Sequence, residues 1–265
     1  MELVILGSGD TVGVPKIGCT CPTCNMARER GIPDARTRFS LLFRDTERGY
    51  NILVDTSPDM RLQLLRENVK RVSAVIFTHH HFDHILGFND FYRVQQVVTV
   101  FGLRETVDYV LDKMGFGSLV KARRKYIRPF EMVRYKSIEF MAFPVFHPHL
   151  NDGVNVQPVG YVFKVNGRKI VVTGDTGINI PERSIEVMYE PDILVADAFV
   201  SSPKHFLDHH MTVEEAVLLA ERLRAERTIL VHLAHVNPPH MELQRKVDPT
   251  SKKVIVGYDT LKVEV

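Results

Sequence analysis

Five short apolar runs in this 265-residue chain each end on a side chain that can bind a metal ion. Ala74-Val75-Ile76-Phe77-Thr78 runs into His79, Phe143-Pro144-Val145-Phe146 into His147, and Ile170-Val171-Val172-Thr173-Gly174 into Asp175. Residues 193–196 run into Asp197, and residues 229–231 into His232. Each run has the length of a buried strand. Strands side by side in a sheet deliver the residues that follow them to one rim, on rigid supports. A core histidine satisfied by a carbonyl explains one such ending, but not five.

Further strand-length runs lie at 3–6, 40–43, 52–54, 161–163 and 254–256, and helical periodicity at 59–67, 103–114, 185–189 and 212–224. The last of these opens on a capping box, Thr212-Val213-Glu214-Glu215, with Val213, Ala216, Val217, Ala220 and Leu223 on one face. Strands come first in runs and then alternate with helices, and no linker rich in Gly, Pro or Ser interrupts them. The expectation is one α/β domain over residues 1–265 with layered sheets. Residues 88–134 carry no motif and are expected to form a surface insertion, most basic from 121 to 134. Hydrophobic residues make 45% and charged residues 25% of the chain, as in an ordinary globular protein that needs no disulfide staples. A net charge of +2 argues against a dedicated nucleic-acid binder. No apolar stretch reaches the length of a membrane span, and Met1 to Gly7 lacks the basic start of a signal peptide, so a cytoplasmic protein is expected.

The strongest local signal is Thr78-His79-His80-His81-Phe82-Asp83-His84. In an extended turn His79 and His81 share a side and can reach one ion, while Asp83 and His84, past the bend, can reach a neighbour. His80 points elsewhere. Zinc accepts imidazole and carboxylate together, and manganese and iron accept the same mixture. The three cysteines, Cys19, Cys21 and Cys24, are too close for a relaxed disulfide. They read as three ligands of a structural zinc whose fourth ligand comes from a distance, or as free thiols in a reducing compartment.

His79-x-His81-x-Asp83-His84 resembles the metal motif of the metallo-β-lactamase superfamily, which implies a four-layer αβ/βα sandwich with a dinuclear site. The remaining pieces follow in that family's order. By this resemblance His79, His81, His147 and Asp175 bind one divalent ion (zinc or manganese, with iron a third option), and Asp83, His84, Asp175 and His232 bind a second. His149 is an alternative to His147, which is chosen because it follows the apolar run directly. The amino-terminal segment, Gly7-Ser8-Gly9-Asp10-Thr11-Val12-Gly13-Val14-Pro15 followed by Gly18-Cys19-Thr20-Cys21-Pro22-Thr23-Cys24, resembles the PhnP-like phosphodiesterase branch. That likeness supplies His235 as the fourth ligand of a structural zinc at Cys19, Cys21 and Cys24. The glycine spacing is not that of a dinucleotide loop.

The implied reaction is hydrolysis of a small phosphodiester, cyclic by the family likeness, through attack of metal-bound hydroxide. His210, two residues before the cap of a helix, matches the family's non-ligand histidine. Asp197 is placed to fix its tautomer, so that His210 protonates the leaving group. Asp83 is counted with them as catalytic as well as a ligand. Asp55 and Asp259 are read as supporting groups or solvated aspartates. Expected partners are a small phosphodiester and no membrane, with a homodimer allowed. The competing readings are a ribonuclease Z-like nuclease, with Lys121-Ala122-Arg123-Arg124-Lys125, Tyr126 and Arg128 touching RNA, and a non-catalytic carrier of the kind found in cofactor biosynthesis.

Overall fold

Two seven-stranded mixed sheets make up the centre of the computed structural model, which describes residues 1–95, 97–147, 156–201, 209–248 and 253–265. The first sheet contains β1 (Glu2–Gly7), β2 (Ser40–Asp45), β3 (Tyr50–Val54), β4 (Ala74–Ile76), β5 (Val97–Gly102) and β6 (Lys121–Tyr126). The second contains β7 (Met132–Tyr135), β8 (Ile138–Pro144), β9 (Val159–Val165), β10 (Arg168–Val172), β11 (Ile193–Asp197), β12 (Arg227–Val231) and β13 (Val254–Val256). The last strand, β14 (Lys262–Glu264), returns to the first sheet and pairs antiparallel with β1. Each sheet is antiparallel in one half and parallel in the other: β3 to β6 are parallel neighbours in the first, β10 to β13 in the second.

Helices cover the outer face of each sheet. Over the first lie α2 (Met60–Arg66), α3 (Phe82–Ile85), α4 (Phe91–Val94) and α5 (Arg104–Asp108), and over the second α6 (Glu182–Met188), α7 (Val213–Arg222) and α8 (His240–Val247). α1 (Pro22–Arg30) stands apart, near the amino-terminal loop. Alternation along the strands sorts the apolar side chains into three layers. Ile52, Ile76, Phe101, Tyr161 and Val195 meet between the sheets; Leu53, Val75 and Val100 pack on α2 to α5; Val171, Leu194 and Leu230 pack on α6 to α8. Each fully buried Leu, Ile or Phe contributes roughly 1.5–3 kcal/mol, and a strand with apolar side chains on both faces is stable only with both faces covered. The four-layer αβ/βα sandwich follows.

The capping box at Thr212 forms as its sequence requires: the Thr212 hydroxyl accepts from Glu215 N at 3.1 Å, and Glu215 accepts from Thr212 N at 2.9 Å. Residues 103–114 are less regular than expected, with α5 passing into a π-type turn from Tyr109 to Lys113. Residues 88–134, expected as a surface insertion, instead supply β5 and β6 to the first sheet. Val98, Val100, Val107 and Val110 are buried there, because an apolar β5 extends the parallel half of the sheet and α5 covers it.

Candidate metal centre

The five expected endings meet at one rim. His79 follows β4, His147 follows β8, Asp175 follows β10, Asp197 closes β11 and His232 follows β12. This is the carboxyl end of the parallel strands, where α/β sheets ordinarily build their sites. Gly174, at φ +62°, turns the chain after β10 and brings Asp175 inward; a side chain there would press on Val159 O. α3 begins at Phe82, directly after His81, and carries Asp83 and His84 into the same space.

Asp175 Oδ2 is the point of convergence. It lies 3.2 Å from His84 Nε2, 3.3 Å from His232 Nε2, 3.7 Å from His79 Nε2 and 4.0 Å from His147 Nε2. His147 Nε2 is 3.1 Å from His81 Nδ1, and Asp83 Oδ2 is 3.5 Å from His84 Nε2 and 3.7 Å from His232 Nε2. The donor atoms of His79, His81, His147 and Asp175 lie within 4.8 Å of one another, as do those of Asp83, His84, Asp175 and His232. His149 lies outside the described residues. His80 turns away and packs edge-on against Tyr109, ring centroids 5.0 Å apart.

Hydrogen bonds behind the site settle the tautomers. Asp55 Oδ2 accepts from His84 Nδ1 at 2.7 Å and from the Thr78 hydroxyl at 2.7 Å. With its proton committed to Asp55, Thr78 Oγ1 is left to accept from His79 Nδ1 at 3.0 Å. His147 Nδ1 donates to the His209 carbonyl at 2.8 Å. In the neutral imidazoles the Nε2 atoms of His79, His84 and His147 therefore carry lone pairs, all aimed at a carboxylate.

Among the described residues, the buried Nε2 atoms of His79, His84 and His232 have no hydrogen-bond partner. Lone pairs facing a carboxylate at 3.2–3.7 Å repel unless a cation lies among them. Burial alone would raise the Asp175 carboxyl, but His232, His84 and His79 hold it well below the ordinary range. Burial opposes a charge on His84 too, yet Asp175, Asp83 and Asp55 raise it well above its ordinary value. His147, with burial as the main cause, falls to about 3. The site thus demands positive charge while keeping imidazole lone pairs available. That is the chemistry of a divalent metal centre, and donor spacings of 3.1 to 4.0 Å bracket the roughly 3.3–3.4 Å edge of a tetrahedron with zinc–nitrogen bonds of about 2.0–2.1 Å.

His210 and Asp197 stand beside this centre. His210 Nδ1 donates to Asp197 Oδ2 at 2.7 Å, and Thr176 N donates to the same oxygen at 2.9 Å. The His210 ring stacks on His232 at 4.8 Å and on Phe199 at 5.1 Å. Phe199 is fixed through its backbone: its carbonyl accepts from Ala234 N at 3.0 Å and from Asn237 Nδ2 at 2.8 Å.

A second cluster joins Cys19, Cys21, Cys24 and His235, three residues beyond His232. Cys21 caps α1, where Pro22 takes the first position, and its Sγ accepts from Cys24 N at 3.4 Å. Cys19 Sγ and Cys21 Sγ lie 3.5 and 3.7 Å from His235 Nδ1. A tetrahedron with zinc–sulfur bonds of about 2.3 Å has edges of roughly 3.8 Å, so these four residues could hold a zinc ion.

Asp55 and Asp259, read in part as solvated aspartates, are buried. Asp259 accepts from the backbone and hydroxyls of Ser8 and Thr37 and pairs with Arg66 at 3.2 Å. Thr78, Phe199 and Asn237 were not anticipated. For Asp55 a signal existed, since the run 52–54 ends on it as the other five runs end on theirs.

A family model described as the beta-lactamase superfamily domain matches residues 50–233. The chain belongs to that superfamily, whose fold implies divalent metal ions such as zinc. Across its whole length it is similar to a crystal structure of a diphosphatase from the PhnP family, with 30% sequence identity and a TM-score of 0.83 over 100% of this chain and 97% of that one. Zinc-bound PqqB from Methylobacterium extorquens shares the fold, with a TM-score of 0.85 at 19% identity over 100% of both chains. An octanoyltransferase from Porphyromonas gingivalis is 29% identical over 98% of this chain and 51% of its own length. The chain thus spans about half the length of that curated relative. Among the described residues, no helix is long and apolar enough to cross a membrane.

Proposed function

We propose that the protein is a metal-dependent hydrolase of small phosphodiesters, with a cyclic phosphate as the preferred substrate. The observation that carries this reading is the pair of four-residue donor sets sharing Asp175, with a carboxylate-held histidine stacked beside them. The diphosphatase of the PhnP family supports it, since that protein also cleaves phosphate linkages. His79, His81, His147 and Asp175 would hold one ion, Asp83, His84, Asp175 and His232 the other, and Cys19, Cys21, Cys24 and His235 a structural zinc. Two divalent ions held by these residues would supply an acidified water as nucleophile near neutral pH and charge to neutralise the phosphoryl oxygens.

The chain's own residues do the rest. Asp55 keeps His84 and, through Thr78, His79 in the ligating tautomer. Asp197 keeps the His210 proton on Nδ1, so that Nε2 can carry a second proton and give it to the departing alkoxide. Octanoyl transfer fits less well, because all three cysteines gather at the other cluster and none is left to carry an acyl group beside Asp175.

The test is a screen of protein loaded with zinc, manganese or iron against cyclic ribose phosphates, cyclic nucleotides, bis-aryl phosphates and precursor tRNA. Turnover of a small cyclic phosphate that vanishes in Asp175→Ala is expected. Cleavage of precursor tRNA alone would make the protein a ribonuclease Z-like nuclease. Binding without cleavage of any substrate would make it a carrier.

A further inference from the structure

The basic strand β6 divides its charges between two faces. Arg124 points outward and is neutralised by Asp108 at 2.8 Å and by Asp112, while Tyr126 donates to Asp108 at 2.7 Å. Lys121, Arg123 and Lys125 alternate with them and turn to the inner face, beside Val97, Thr99 and Phe101 of β5. There Arg123 borders an open cleft of about 430 Å³ at the amino ends of β3, β4 and β5. The metal residues lie at the opposite ends of those strands. From Ala74 to His79 the chain advances roughly 17 Å at about 3.3 Å per residue, so the cleft is remote from the Asp175 centre.

Arg71 and Arg123 line this cleft, with Lys136 from the turn between β7 and β8 and Arg48 from the turn between β2 and β3. Arg48 is paired with Asp45 at 3.0 Å. Among the described residues, Arg71, Arg123 and Lys136 have no carboxylate within 4.0 Å. Lys136 Nζ lies over the Tyr50 ring, 5.8 Å from its centre. In a chain of net charge +2, three cations without a carboxylate partner around one concavity concentrate positive charge, and a bound anion would relieve their mutual repulsion. Thr99 makes the floor. As a residue it is 8% exposed, and it lines the cleft. Tyr50 and Tyr135 complete the walls.

We propose that this cleft is a second ligand site, separate from the metal centre, for a small anion carrying two phosphoryl groups. Arg123 and Arg71 hold one group over the Thr99 hydroxyl, and Lys136, on the facing wall, holds the other. The volume lies within the range of small-ligand sites, and cations presented from two walls suit two separated charges better than one.

The experiment is calorimetric titration of the metal-loaded protein with ADP and, separately, fructose 1,6-bisphosphate, with hydrogen exchange to locate the site. Protection of amides in 97–101 and 121–125 is expected. Arg71→Glu with Arg123→Glu should weaken that binding about tenfold or more, and Thr99→Val about threefold to tenfold, with hydrolysis at the metal centre unchanged. Binding of both compounds shows that the phosphoryl groups suffice, and binding of ADP alone shows that the nucleoside contributes. Protection confined to the metal centre, or equal affinity in the double variant, overturns the proposal. So does tighter binding of a single-stranded RNA that depends on Lys121 and Lys125, which would make β6 a nucleic-acid surface. If Arg123→Ala self-associates yet binds both compounds like the native protein, the inward cations merely guard a sheet edge, and the proposal fails.

Discussion

Asp55 and His84 are joined by a 2.7 Å hydrogen bond between two fully buried side chains, one following β3 and the other on α3. The contact decides which nitrogen of His84 faces Asp175. Asp55 sits at φ +60°, a conformation that costs a non-glycine residue roughly 1 kcal/mol or more. The fold tolerates that cost at the one carboxylate that orders both His84 and, through Thr78, His79.

Asp55→Asn tests that role. The amide can present its N–H to His84 Nδ1, which would move the imidazole proton to Nε2 and aim it at Asp175. Metal affinity should fall about 10- to 100-fold, with a matching loss of turnover at limiting metal and a retained fold by circular dichroism. Native metal content in the purified variant, measured by elemental analysis, would remove Asp55 from the site.

His210→Ala should lower turnover of substrates with poor leaving groups by about 10² to 10⁴, with metal content unchanged. The loss should shrink for nitrophenyl esters, whose leaving group needs no proton. Phe199→Ala, which removes the ring stacked on His210, should show the same leaving-group pattern more weakly. An equal loss for all leaving groups would make His210 a phosphate-binding residue.

Cys21→Ser removes one corner of the Cys19, Cys21, Cys24 and His235 cluster and leaves a side chain that can still cap α1. One metal equivalent should be lost while the Asp175 centre keeps its own. Each 1 kcal/mol lost should lower Tm by about 2–4 °C in a chain of this size. An unchanged metal count would overturn the structural-zinc assignment, as would a disulfide in freshly reduced protein.

Acid lability should trace in part to His240. Its Nδ1 accepts from Arg36 at 3.1 Å, and burial, with the Arg36 charge beside it, holds the imidazole down at about 4. The unfolded chain takes up that proton near pH 6.5, the folded chain only near 4. Stability is therefore full above about pH 6.5 and declines as pH falls toward 4, because there the unfolded state binds more protons. His240→Asn keeps an acceptor that cannot titrate, so its Tm should vary less over that interval. Parallel Tm curves for the two proteins would assign the lability elsewhere.

The sequence exposed what is local and hid what depends on a neighbouring strand. His79, His81, Asp83 and His84 lie within six residues, and each remaining member of the centre follows or closes an apolar run, so the strand pattern alone brought them to one rim. The pairing of Cys19, Cys21 and Cys24 with His235 was legible only through family resemblance, because more than two hundred residues separate them. Asp55 carries the same strand-end signal as the others, but its service to His84 and Thr78 shows only once β3 is set beside β4. Residues 88–134 misled for a different reason. β5 is buried and apolar, but β6 is an edge strand whose composition, Lys121 to Tyr126, is that of exposed surface. Phe199 and Asn237 act through backbone and ring contacts that leave no periodic trace.

The pairing of β14 with β1 also has a consequence in time. β1 is made first, yet its outer edge stays uncovered until Lys262 to Glu264 emerge, and at about 5–20 residues per second that interval is on the order of ten seconds or more. An open apolar edge is a template for pairing with another chain. The cysteine loop waits nearly as long for His235, and the Asp175 centre for His232. On the ribosome, the newborn chain must therefore carry its first sheet and both of its clusters incomplete until residues 232 to 264 have been made.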